Sequence, residues 1–498
     1  MSTARTRFNE PLFLARSIAW MALAGLLGSC ATAAGSGRGM SEEAEVAQGA
    51  QAATEVEAYI GFAGNEDLNA YVTDLGNRLV QHSSRSHLDF AFHVVDMEEP
   101  NAFALPGGFI YVSRGLLAIM NSEDELAAVL GHEIGHVAAR HSVARQRAQK
   151  PWLPLQILAG IGGAAASVVS EELGSTVAGL GQIPATLALA SYSRKQEEEA
   201  DRLGQQYIAA EGWDPAALAR SMDALTREQE LHGGRDPNQR SFFDSHPTTP
   251  DRAREARAYA QTLTRAPPTP IAADRSSFVT RLDGLVVGTS ARGGVFIDER
   301  FLHPRLGFAM TFPQEWNHAN APTAVVAEAP DKSAILALQL VAEGDDPTPA
   351  ADAVAAEIPL QDRSPLTRSD EMSTITGIAR VESQNGELFL YFAWIAKDGL
   401  VYEVLGATPS QLWERHRQSF ADTADSFRAL SNEELAEIEE DRLRLVAAAA
   451  NETLDDVAVR SNSQWSIKKV SAANDMPIGE TVEAGELVKV SKKEPYER

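Results

Sequence analysis

One cysteine in 498 residues, 44 basic side chains against 69 acidic ones and an aromatic share of 7% are the scarcities of this sequence. A single thiol excludes any disulfide within the chain, even in an oxidising compartment. The shortage of basic residues leaves a formal charge of −25. Such a chain is repelled by nucleic acid and by anionic lipid headgroups, so DNA and RNA are excluded as partners. Long apolar runs are scarce as well. Ile18–Leu27 follows Arg5, Arg7 and Arg16 but is too short to span a bilayer comfortably. It leads into Leu27-Gly28-Ser29-Cys30, the layout of a secretory signal whose cysteine becomes the lipidated first residue. Residues 1–30 are therefore expected to be a lipoprotein signal peptide, Cys30 the lipidation site, and 31–44 a flexible tether. Ala31, where an aspartate would favour retention in the inner membrane, points to a periplasm-facing protein of the cell envelope, at the outer membrane rather than the inner.

What remains is long enough for two or three domains. Residues 41–60 and 66–81 read as helices, the second with Leu68, Tyr71, Val72, Leu75 and Leu79 on one face. Residues 87–95 alternate as a strand does, and 101–112 form a second extended run with a Pro106-Gly107-Gly108 turn inside it. Ser122 caps a helix predicted over about 123–145, with Glu125 as its capping-box partner. A further helix is predicted over 194–211. Ala266-Pro-Pro-Thr-Pro270 reads as a linker, placed at 266–275. Beyond it, Asn385-Gly386 and Asp398-Gly399 divide 373–407 into an antiparallel meander. Helical segments at 349–357 and 409–429 complete an α+β accessory domain over 276–430. Its aromatics Phe389, Tyr391, Phe392, Trp394 and Tyr402 read as sheet core. A charged helix is predicted over 432–445, opening a terminal unit at 431–498.

The chemistry is concentrated in Gly131-His132-Glu133-Ile134-Gly135-His136. Residues four apart on a helix lie on one face, so His132 and His136 can converge on one metal. Neutral imidazole suits zinc, and Glu133 beside the pair is placed to take a proton from a water that zinc acidifies. Apolar Leu126, Val129, Leu130, Ile134 and Val137 make this a buried helix rather than a solvated one. A catalytic zinc takes three protein ligands. The extended motif that supplies a third histidine from the same stretch is missing here, Ala139 and Ser142 standing at its glycine and histidine positions. The acidic run Glu197-Glu198-Glu199-Ala200-Asp201 is the alternative source. Glu197 and Asp201 share a helix face, so one can ligate while the other orients a histidine.

Five separated segments occur in one order: Asn101-Ala-Phe-Ala-x-Pro-Gly-Gly, Gly115-Leu116-Leu117, Glu123-x-Glu125-Leu126-Ala127, the His-Glu-x-x-His with His141, and Ser193-Arg194-x-x-Glu197-x-x-Ala200-Asp201. Together they resemble the HtpX/BepA/Oma-type zinc metallopeptidases, peptidase family M48, over about 45–260. The resemblance implies a mostly helical, zincin-like (gluzincin) protease domain with a small sheet, at 45–265. It implies one zinc held by His132, His136 and Glu197, Glu133 as general base, and Asp201 behind the ligands. It further implies that Asn101, Ala102, Phe103 and Ala104 form an edge holding an extended peptide. His246 and Arg252 would lie beside the site, His246 capping the zinc or bonding the tetrahedral intermediate, and Arg252 stabilising the oxyanion. The uncharged stretch 151–193, with Pro151 and Pro154, reads as a helical hairpin over the site rather than as membrane spans. The terminal segment resembles a LysM module, a βααβ unit associated with peptidoglycan, with Asn451-Glu452 in place of its usual Gly-Asp.

The expected function is hydrolysis of misfolded or unassembled envelope polypeptides, with peptidoglycan or the envelope assembly machinery as further partners. The alternatives are a chaperone or assembly scaffold with a latent zinc site, and a polytopic membrane protease.

Overall fold

The computed structural model describes residues 40–148, 191–231, 245–246, 250–321, 324–367, 372–383 and 386–497. Cys30, the tether up to Gly39 and the expected hairpin up to Ala190 lie outside the described residues. Among the described residues no helix is long and apolar enough to cross a membrane. The protein is α+β and consists of two compact units. One takes the described parts of 40–291 together with 436–497, and the other takes 292–435.

The first unit opens with helices α1 (Glu42–Tyr59) and α2 (Glu66–Val80). Strands β1 (Ala91–Val95), β2 (Ala102–Leu105) and β3 (Phe109–Ser113) form a sheet in the order β1-β3-β2, with β1 parallel and β2 antiparallel to β3. A short helix α3 (Arg114–Ile119) leads to the motif helix α4 (Glu123–Ala138), whose Ser122 cap accepts from the Glu125 N–H. Every residue of α4 up to Val137 is buried except Asp124, so the helix runs through the core.

The helix predicted over 123–145 is broken. It stops at Ala138, Arg140 takes a left-handed backbone (φ 56°), and α5 (His141–Ala148) starts in a new direction. Arg140 holds that break by donating to Met40 O and pairing with Glu45. Helices α6 (Arg194–Glu211), α7 (Ala217–Leu231), α8 (Pro250–Ala260) and α9 (Arg275–Val279) complete this part. The boundary expected at 266–275 shifts, because residues up to Ala291 belong to this unit. The buried Glu123 carboxylate is the reason. It accepts from Ile271 N and Ala272 N as well as from Tyr71 Oη and Trp213 Nε1, and so pins the proline-rich stretch to the core.

The second unit holds a four-stranded sheet built on β4 (Val295–Ile297), β5 (Arg300–His303) and β6 (Phe308–Thr311). It also holds a seven-stranded antiparallel sheet of β7 (Asn317–Ala321), β8 (Ala324–Glu328), β9 (Ile335–Glu343), β10 (Leu360–Thr367), β11 (Ser373–Ser383), β12 (Gly386–Lys397) and β13 (Leu400–Pro409). Helices α10 (Thr348–Glu357) and α11 (Trp413–Asp425) supply Ala351 and Phe420 to separate clusters of the core. Tyr391, Phe392, Trp394 and Tyr402 are buried in these clusters, and Phe389 stacks on Trp413. Strand β14 (Arg428–Ala429) pairs with β6.

The expected helix over 432–445 is only α12 (Asn432–Glu437). The chain then runs as strand β15 (Glu439–Ala447) back into the first unit, because Leu443 and Leu445 alternate with Arg442 and Arg444 and pack into its core. Helices α13 (Leu454–Arg460) and α14 (Ile467–Asn474) and strand β16 (Leu487–Pro495) follow, β16 pairing antiparallel with β15. The order is β-α-α-β.

Candidate metal centre

Two helices meet here at unusual proximity. A methyl group added at Gly204 of α6 would lie 2.8 Å from the Gly131 carbonyl carbon and 2.8 Å from the His132 nitrogen. One added at Gly135 would lie 2.9 Å from the Ala200 oxygen. Glycine at both places lets the α4 and α6 backbones touch, which carries the first turns of α6 against His132 and His136.

The result is a buried cluster of His132, His136, Glu197 and His246, a set able to hold a metal ion. His132 Nε2 and His136 Nε2 are 3.0 Å apart. Glu197 Oε1 is 3.3 Å from His136 Nε2, and Oε2 is 3.7 Å from His132 Nε2. His246 Nδ1 stands 3.2 Å from His132 Nε2 and 3.2 Å from Glu197 Oε1. Ligand bonds of ~2.0–2.1 Å at a tetrahedral centre set neighbouring donor atoms roughly 3.3 Å apart, and the cluster has those spacings.

The outer bonds of the rings fit the same reading. His132 Nδ1 lies 2.9 Å from Asp201 Oδ1, so it donates there and leaves the Nε2 lone pair facing the cluster. His136 Nδ1 lies 2.9 Å from His141 Nδ1, whose Nε2 is 3.4 Å from Glu199 Oε2. Donation along that chain leaves the His136 Nε2 lone pair facing inward too. Lone pairs and a carboxylate converging in a buried space repel one another unless a cation lies between them.

Burial alone would raise the Glu197 carboxyl; the rings of His246, His136 and His132 outweigh it and hold it below the carboxylate range. Burial would also raise Asp201, but His132 and Arg252 reverse that shift. Arg252 donates twice to Asp201 (2.8 and 2.9 Å) and sits 2.7 Å from Glu197 Oε2. Its guanidinium is therefore engaged with two carboxylates in this structure. Glu133 is fully buried, with Oε1 3.5 Å from His246 Nε2. Burial raises its carboxyl.

Asn101 precedes β2, and Ala102, Phe103 and Ala104 lie within it at the end of the sheet order, all of them buried. Glu198 and Glu199 are not in the donor set. Sequence reasoning missed what His141 and Tyr192 do. The Tyr192 ring stacks on His136 at 3.9 Å and its N–H donates to Ser245 O, next to His246. His141 was legible as part of the family motif, but its bond to His136 was not.

A histidine pair on one helix with a glutamate from a later one is the donor arrangement of a metallopeptidase. Residues 66–260 match the model of Peptidase family M48. Similar proteins include the beta-barrel assembly-enhancing protease of Escherichia coli K12, 30% identical over 39% of this chain and 39% of the relative. The mitochondrial metalloendopeptidase OMA1 of Schizosaccharomyces pombe is 32% identical over 37% of this chain and 51% of its own length. The metalloprotease LoiP of Escherichia coli K12 is 29% identical over 42% and 77%. The chain thus spans about two-fifths of the length of the first of these relatives.

Proposed function

We propose that this protein is a zinc endopeptidase of the cell envelope, with His132, His136 and Glu197 as zinc ligands and Glu133 as general base. The observation that carries the reading is the buried donor cluster with Glu133 next to it on the motif helix. Zinc, when bound, supplies Lewis acidity that polarises the scissile carbonyl and lowers the pKa of the attacking water. Glu133, whose carboxyl burial raises, would take the water's proton and return it to the leaving amine. Asp201 fixes the His132 tautomer, and Arg252 fixes Asp201 and Glu197. In the oxyanion role Arg252 would have to leave part of that pairing. Residues Asn101–Ala104 would hold an extended substrate by backbone pairing, in a zincin-like (gluzincin) arrangement.

Misfolded or unassembled envelope polypeptides are the proposed substrates. The relatives' printed names, one of them an assembly-enhancing protease, support this. A lipid anchor at Cys30, an outer-membrane location facing the periplasm, and peptidoglycan or the envelope assembly machinery as partners belong to the same proposal. His246 favours a second feature, latency. Its Nδ1 already stands in the fourth donor position, where a capping ligand would sit. The decisive experiment compares purified wild type, Glu133→Gln and His136→Ala for bound zinc and for casein cleavage. Glu133→Gln should keep about one zinc per chain and lose cleavage, and His136→Ala should lose both. Cleavage by Glu133→Gln at the wild-type rate refutes the assignment.

A further inference from the structure

Residues Val488–Ser491 of strand β16 are buried on both faces of the strand. Val488 and Val490 face the core of the terminal unit, closed by α13 and α14. Between them Lys489 is 0% exposed, as are its two valine neighbours. A lysine is almost never buried completely, and here its amino group has a specific use. Nζ donates to Ala118 O (2.9 Å) and Met120 O (2.8 Å), carbonyls at the end of α3 that have no helical partner. The next residue, Asn121, donates through Nδ2 to Ala473 O at the end of α14, and its own N–H donates to Glu125 Oε2 of α4. The turn that carries the Ser122 cap of the motif helix is thereby held from the side of the terminal unit.

Other ties run in parallel. Asn474, 2% exposed, accepts from Arg275, and Arg275 also bonds Leu487 O. Lys469 and Asp475 pair with Glu228 and Arg227 of α7. Leu443, Leu445, Trp465 and Leu487 pack into the same apolar core as the α4 residues Leu126 and Ile134. Residues 284–287 pair with β15 through Gly284 N to Leu443 O, Leu443 N to Leu285 O and Val287 N to Asp441 O, at 2.7–2.8 Å. A recognition module hung on a flexible tether would meet its neighbour through a small, polar, wet surface. This one shares a core and a run of backbone hydrogen bonds.

We infer that the terminal βααβ unit is a permanent intramolecular partner of the metal-centre unit, and that Lys489 is the positioning residue through which it holds the root of the motif helix. Rigid α4 carries that constraint from Ser122 to His132, ten residues or roughly 15 Å along the axis.

The test uses the full chain with a site-specific protease sequence inserted between Leu430 and Ser431. After cleavage the fragment from Ser431 onwards should co-elute with the remainder in size-exclusion chromatography and separate only in denaturant. Its release in native buffer overturns the proposal. Hydrogen exchange tests the residue itself. Lys489→Met should raise exchange at least tenfold over 114–125. Lys489→Gln, which keeps N–H donors, should recover most of the protection. Lys493→Met, on an exposed part of the same strand, should change nothing. Equal behaviour of the Met and Gln variants, or wild-type protection in Lys489→Met, overturns the role of Lys489. Should a variant not fold, the cleavage experiment still decides for the unit. Neither readout uses peptidase activity, so failure here and failure of the catalytic reading are separate results.

Discussion

Gly204→Ala tests whether the α4–α6 approach sets the metal centre, because two effects of opposite sign compete in it. By helix propensity alone, alanine in mid-helix favours the folded state by about 1 kcal/mol over glycine. The structure opposes this. The new methyl carbon would sit 2.8 Å from two backbone atoms of α4, where carbon contacts normally settle at about 3.5–4.0 Å. Backbone cannot rotate away as a side chain can, so the helices must separate by roughly 0.7–1.2 Å. Overpacking of this kind costs about 1–3 kcal/mol. The net effect should be a loss of about 1 kcal/mol, or a fall of roughly 2–4 °C in Tm for a unit of this size. The larger effect should be on metal. Glu197 rides on α6 and its oxygens stand 3.3 and 3.7 Å from the histidine nitrogens, so the same shift opens the donor set. Zinc affinity in chelator competition should fall by about ten- to a hundredfold, the scale of misplaced ligand support. Gly293→Ala, where nothing lies within 4 Å of the added carbon, serves as the control and should be near neutral. A Gly204→Ala protein with wild-type Tm and a zinc Kd within twofold of wild type would refute the argument.

His246→Ala separates two roles by sign. Removal of a capping ligand should raise basal casein cleavage and self-cleavage, whereas loss of a group that bonds the tetrahedral intermediate should lower turnover by roughly ten- to a thousandfold with zinc retained; an unchanged rate would dismiss both roles. Acid should weaken the unit of 292–435 in a defined window. The Arg428 hydrogen bonds hold the Glu434 carboxyl at about 2 against an ordinary 4.5, so the pair contributes fully above pH 4.5 and the contribution is lost as pH falls towards 2. Glu434→Gln should lower stability at pH 7 and flatten the pH dependence between 4.5 and 2, measured by urea unfolding; an identical pH slope in the variant would show that the pair is not coupled to folding.

The metal motif was legible because its information is local. His132, Glu133 and His136 sit on two turns of one helix, and the apolar flanks already placed that helix in the core. The proposed third donor was legible only as a choice between Glu197 and Asp201 until the family resemblance was added. The physical signal that pairs those helices is present in the chain as Gly131-x-x-x-Gly135 and Ala200-x-x-x-Gly204, small residues one turn apart that let two backbones touch. Arg140 carries no mark of a left-handed backbone, since its conformation is enforced by Met40 and Glu45, a hundred residues away in sequence. Strand β15 was hidden for a related reason. Glu, Arg and Leu favour helix locally, and the period-two alternation of Arg442, Leu443, Arg444 and Leu445 gains weight only when β16 and residues 284–287 supply partners for both edges. Lys489 shows the limit most sharply. In Val488-Lys489-Val490 an alternating pattern places the lysine towards solvent, and it would do so if the terminal unit stood alone. Its burial follows from carbonyls some 370 residues earlier that need donors. A side chain whose surroundings are completed by a distant segment cannot be assigned a face from its own strand, and such residues are the ones through which one part of a chain holds another.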